Sequence, residues 1–142
     1  MSSYASSPSR TSTLSAGTAL YPAWLRTVLW VDAATGLASG LSSLAAPDMQ
    51  ATLLGLPAAL VQASGAVVLA FVALIALLLL AKPQPPLWGL RTLVAGNALW
   101  VVASVVVVEL HWPTLNALGV AYVLLQAGFV AVLAGLQARA MR

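Results

Sequence analysis

Few side chains in this sequence can do polar chemistry, and their positions divide them into two groups. The first centres on Asp32, which falls inside the apolar run WLRTVLWVDAATGLASG. An acid placed in hydrocarbon costs at least about 2.5–3.5 kcal/mol, so it needs an interior position and a partner. Arg26 is six positions away on the same run, off the i+3/i+4 face that would let the two meet. Asn97, in NALWVVAS, is the better partner. If both runs are helices starting on one side of a membrane, Asp32 lies roughly 12 Å in at about 1.5 Å per residue, and Asn97 comes to nearly the same depth. Arg91 could reach this pair from below, and Thr35 and Ser104 could complete a polar centre. Two readings stay open: a hydrogen-bonded clasp that fixes helix packing, or a protonatable or ligand-binding centre.

The second group is Asp48, Glu109 and His111. Glu109 and His111 stand at i, i+2, which matches no recognised metal-ligand spacing, and the group reads as a solvated loop. The chain has no cysteine, one histidine and three acids. It offers no Ser-His-Asp set, no paired acids at a plausible site and no glycine-rich phosphate loop, so no catalytic residue, metal or cofactor is assigned.

The elements that must position these residues follow from composition. Of 142 residues, 61% are hydrophobic and 6% charged, against about 25% charged in a soluble domain. A chain this short could not hide so much apolar surface from water, which makes lipid its solvent. A membrane-crossing helix needs about 20 apolar residues, and four segments supply them, about 23–46, 58–81, 87–109 and 114–138. Pro47-Asp48, Lys82-Pro83-Gln84-Pro85-Pro86 and His111-Trp112-Pro113 punctuate them. The stretch 49–57 (MQATLLGLP) can extend the second span outward or lie along the interface. Strands are excluded by the length of the runs and their lack of polar alternation. The expected fold is all-α, a polytopic four-transmembrane-helix bundle over 21–142, preceded by a Ser-rich disordered cytoplasmic tail at 1–20.

The net charge is +3, and its placement encodes orientation; it gives no sign of a nucleic-acid partner. Arg10, Arg26, Lys82, Arg91, Arg139 and Arg142 all fall on the side holding both termini. The positive-inside rule then puts both ends in the cytoplasm. Tyr21, Trp24 and Trp88 sit at the inner boundary and Trp112 at the outer one.

The chain also resembles itself. A shift of 65 residues lays LRTVLWVDAATGLAS (25–39) on LRTLVAGNALWVVAS (90–104), with Asp32 opposite Asn97. A shift of 64 lays LGLPAALVQASGAVVLA (54–70) on LGVAYVLLQAGFVAVLA (118–134) and pairs Gln62 with Gln126. Ala/Leu/Val-rich helices agree by composition alone, whereas the shared Leu-Arg-Thr, the Asp/Asn position and the Gln-Ala speak for a duplicated two-helix hairpin, its halves related by an axis along the membrane normal. The glutamines weaken the second alignment, since Gln62 lies 20 residues before Lys82 and Gln126 lies 13 before Arg139.

Asp32, Gly36 and Gly40 share a helix face and the two glycines form GxxxG, which serves packing inside the bundle or, alternatively, homodimerisation. Gly119, Gly128 and Gly135 are expected to serve packing as well. Trp30 and Trp100 lie deeper than an interfacial belt requires, and Trp100, one turn from Asn97, could wall a pocket for a flat apolar molecule such as a quinone.

On RTVLWVDAATGLASG, LLGLP and NALWVVAS, the chain resembles small four-helix bacterial inner-membrane proteins and, more loosely, the DoxX-like group, over roughly 24–138. The resemblance implies a multi-pass inner-membrane location and an association with membrane redox systems and quinone-dependent thiosulfate oxidation; it carries no catalytic residue to a position here. The small multidrug resistance family is also similar in having four helices and an acid in the first, with Asp32 standing where that family has Glu. Its members pair in opposite orientations, which the one-sided basic residues here argue against.

The sequence therefore points to a non-enzymatic membrane component or accessory subunit. A small transporter or proton-linked carrier using Asp32 and Asn97 is the competing class, and a quinone-associated redox accessory the third. Expected partners are the lipid bilayer and a homo-oligomer or larger membrane complex.

Overall fold

The computed structural model describes residues 21–81 and 84–142, whose regular elements are all helices, without strands. The Ser-rich tail at 1–20 and Lys82 lie outside the described residues. Helix α1 spans Trp24–Ala45, α2 Pro47–Leu54, α3 Ala58–Leu80, α4 Leu87–His111 and α5 Ala117–Arg139. All but α2 are long and apolar enough to cross a membrane. Between 22% and 28% of each long helix's apolar window is buried, so most of that apolar surface faces outward, where only lipid solvates it. The chain is a multi-pass membrane protein.

The stretch 49–57 does not extend the second span; its residues 49–54 belong to the separate short helix α2. Ala46 breaks the helical geometry at φ −141, ψ 58, and Pro47 opens the two-turn helix α2 at its first position, where a missing N–H is harmless. Gly55 ends α2 in the left-handed region at φ 74. A side chain there would be strained by the dihedral and would also strike the Thr114 carbonyl. The turn before α5 is longer than the proline pattern implies, with α4 running on to His111 and α5 starting at Ala117. Asn116 sets that start. Its side chain accepts from Gly119 N–H at 2.8 Å, a standard N-cap, and donates through Nδ2 to the Leu53 carbonyl at 2.7 Å. One residue thus caps α5 and ties it to the end of α2.

The contacts fix the order of the long helices around the bundle. Gly36 faces Val68 and Val72, Gly40 faces Leu69 and Gly65, and Arg26 Nη2 donates to Leu79 O at 3.2 Å, so α1 and α3 run antiparallel along their lengths. Gly89 and Gly96 of α4 meet Leu78 and Phe71 of α3. α5 packs extensively on α4 and also touches α1. α1 and α4, like α3 and α5, make no close backbone approach among the described residues. The bundle is therefore up-and-down with cyclic order α1, α3, α4, α5, and α1 faces α4 across the diagonal, as a two-hairpin arrangement about a central axis requires.

Leu25, Leu29, Ile75, Leu78, Leu79, Leu90 and Leu93, with Ala33 and Ala140, form one buried cluster. It fills the end of the bundle where α1 and α4 begin and where α3 and α5 finish, here the terminus-side end. The opposite end is covered by α2.

Candidate functional site

One turn above that leucine cluster, Asp32 and Asn97 meet. Both are buried, and Asn97 Nδ2 donates to Asp32 Oδ2 at 3.2 Å across the bundle diagonal. A third residue completes the group. Gln137 of α5 is wholly buried; its Nε2 donates to the same Asp32 oxygen at 2.6 Å, and its Oε1 accepts from Asn97 Nδ2 at 3.1 Å. The result is a closed triangle of one carboxylate and two amides from three helices. Two acceptors converge on Asn97 Nδ2, which fixes the orientation of that amide.

Sequence reasoning missed Gln137 because it equated depth with distance from a helix end. Asp32 lies 8 residues into α1 (24 to 32) and Asn97 10 into α4 (87 to 97), but Gln137 is only 2 residues from the end of α5 (137 to 139). The chain continues past it as Ala140 and Met141, which pack on the leucine cluster, so the polar group is drawn inward. A glutamine flanked by Leu136 and Ala138 in an otherwise apolar helix was the available signal. The repeat drew attention to Gln126 instead.

The remaining candidates separate. Thr35 lines the same space as Asp32 and Asn97, but its hydroxyl donates to the carbonyls of its own helix, Val31 at 2.8 Å and Asp32 at 3.1 Å, and not to the triangle. Ser104 is buried and donates to Trp100 O at 2.8 Å, two turns from Asn97. Arg91 is exposed and does not join the triangle, whose carboxylate takes its hydrogen bonds from the two amides. Gly36 and Gly40 face α3, which is the packing use of the GxxxG pair. Gly119 packs tightly on the Leu54 carbonyl, whereas Gly128 and Gly135 have open space where a Cβ would stand and do not serve packing within the bundle. Trp30 is exposed on the outer surface. Gln62 is exposed while Gln126 donates to Ser39 Oγ at 3.2 Å, so the glutamines paired by the second alignment occupy unlike positions. Glu109 and His111 lie in the last turn of α4 instead of in a loop. Among the described residues, no three of His, Cys, Asp and Glu cluster in a way that could hold a metal.

The triangle borders a cavity of about 450 Å³ that all four long helices line. This lies within the usual range of small-molecule sites, about 300–1,000 Å³. Asp32, Ile75 and Asn97 mark its terminus-side end, Phe71, Trp100 and Phe129 its middle, and Ser39, Tyr122 and Gln126 its other end. A second cavity of about 180 Å³ adjoins it beneath α2 and shares Ser39, Val68, Trp100, Tyr122 and Gln126 as lining. Gln50 of α2 borders this second space and is held to α1, accepting from Ser43 Oγ at 3.1 Å and donating to Ser42 Oγ at 3.0 Å.

Comparison with protein-family models, with curated proteins and with solved structures finds no match to the chain.

Proposed function

We propose that this chain is a non-enzymatic bacterial inner-membrane protein that binds a small, largely apolar molecule inside its bundle, as a carrier or as the binding component of a larger membrane assembly. The observation that carries this reading is the coincidence of the cavity with the carboxylate-amide triangle at one end of it. A clasp alone would need only the three hydrogen bonds. The apolar space beside it adds volume that a packing role does not require, because bundle interiors are otherwise close-packed.

The orientation proposed is both ends cytoplasmic. Arg26, Arg91, Arg139 and Arg142 sit near the terminus-side end of the bundle, and Asp48, Glu109 and His111 near the α2 end, the bias that the positive-inside rule reads. Reporter fusions after Arg142 test it; a periplasmic C-terminus would overturn the assignment.

The binding role is tested by purifying the protein in mild detergent, extracting it with organic solvent and identifying retained small molecules by mass spectrometry. A compound recovered from the native chain at near-stoichiometric yield, and lost from Val130→Phe, which fills the cavity wall, supports the reading. Equal recovery from both would place the compound on the outer surface and sink it.

A further inference from the structure

The hydrogen-bond inventory of the triangle says what kind of head group the cavity accepts. Asp32 Oδ2 takes both amide donors, and Asn97 Nδ2 spends both its hydrogens within the triangle. Among the described residues, nothing donates to the other Asp32 oxygen or to the Asn97 carbonyl oxygen, and neither is sealed off as a buried unpartnered atom. Both residues are more than nine-tenths buried and both line the cavity, so these oxygens keep their accessible surface toward it. Both are acceptors when Asp32 is ionised. Of the other hydrogen-bonding side chains on the lining, Thr35, one turn from Asp32, spends its hydroxyl on the Val31 and Asp32 carbonyls, Gln126 donates to Ser39 Oγ, and Trp100 stands one turn beyond Asn97; Ser39 and Tyr122 lie toward the other end, Ser39 being two helical turns from Asp32, roughly 10 Å.

Charge points the same way. Asp32 is the one carboxylate on the lining and no Lys, Arg or His shares it. Arg26 is engaged with the Leu79 carbonyl and Arg91 is exposed. An ionised acid in an apolar site without a counter-ion is costly, and a cationic occupant removes that cost. The walls beyond it carry Phe71, Trp100, Tyr122 and Phe129, and aromatic faces attract ammonium groups.

We propose, resting on the binding role above, that the cavity's ligand is a lipophilic amine in its ammonium form. Its N–H groups donate to Asp32 Oδ1 and Asn97 Oδ1, and its apolar body lies between Phe71, Trp100 and Phe129. A quinone is a poorer match at this end, since its carbonyls are themselves acceptors and would face two acceptor oxygens.

The test is equilibrium dialysis of the full chain in lipid nanodiscs, with empty nanodiscs subtracted to remove partitioning into lipid. The probes share one body and differ in head group: phenylpropylammonium, phenylpropanol and phenylpropionate, with decylubiquinone as a fourth. The ammonium is expected to bind about ten-fold or more tighter than the alcohol, and the carboxylate not to bind, as one charge-assisted contact predicts. In Asp32→Asn the ammonium should fall to within about three-fold of the alcohol while the alcohol holds its affinity, which shows an intact cavity. If the alcohol or the quinone binds the native chain as tightly as the ammonium, the ligand class is wrong and the binding role stands. If none of the four binds above empty nanodiscs, the binding role itself falls. The comparison among probes on the native chain decides the class even where Asp32→Asn does not accumulate.

Discussion

The two ends of this bundle are built on opposite principles. At the terminus-side end, leucines from α1, α3 and α4 interlock with almost no exposure, and Ala140 closes the gap beyond α5. Toward α2 the same helices border two adjoining, partly open spaces lined by aromatic, aliphatic and small polar residues. The polar triangle lies at the boundary. In lipid, burying leucine against leucine gains little over leaving it against acyl chains, so helices associate through packing and interhelical hydrogen bonds. The leucine end supplies the packing, the triangle the directional bonds, and the hollow end is held by the glycine contacts of α1 on α3 and by the Asn116 tie from α5 to α2. A membrane bundle can thus be tightly packed at one end and open at the other without a break in any helix.

Substitutions at the two ends and at the boundary between them test this contrast. The largest effect is expected from Leu29→Ala, which leaves a void in the tight end and should cost about 2–5 kcal/mol, read as a lowered thermal midpoint in detergent; a change near zero would mean that this end is not the stabilising one. Next comes Gln137→Leu, which removes the shorter bond to Asp32 and leaves the carboxylate with one donor. It should cost about 1–3 kcal/mol. The triple replacement Asp32→Leu, Asn97→Leu, Gln137→Leu should recover most of that loss, because no polar group is then stranded, and it should abolish ligand retention. Recovery of stability together with retained ligand would reduce the triangle to a clasp. The smallest effect is expected from Val130→Ala on the cavity wall, under about 1 kcal/mol, since it enlarges a space that already exists; the same midpoint measurement applies, and a loss comparable to that of Leu29→Ala would erase the distinction between the ends.

The contrast also explains what could be read in advance. Asp32 and Asn97 were legible because a polar residue in a long apolar run must find a partner, and the 65-residue self-similarity set one opposite the other. Their bond crosses a diagonal between helices whose backbones do not touch, which no local pattern encodes. Gln137 was illegible because its depth depends on how far α5 slides inward against α1 and α4. Arg91 was over-read because a long side chain six residues below Asn97 could reach up to it, but its side of α4 faces outward. Gly128 and Gly135 resemble packing glycines in sequence, and only the bundle shows that nothing approaches them.

Composition and spacing alone determined that the chain is helical, that four helices are long enough to cross a membrane, and that one acid must lie among them. These follow from the cost of polar groups in hydrocarbon, which acts on each segment separately. Tertiary structure decided the cyclic order of the helices, the third member of the polar triangle and the existence of the cavity. Those depend on the relative slide and rotation of neighbouring helices, and in lipid the apolar surface of one helix does not dictate which side chains of its neighbour it will meet.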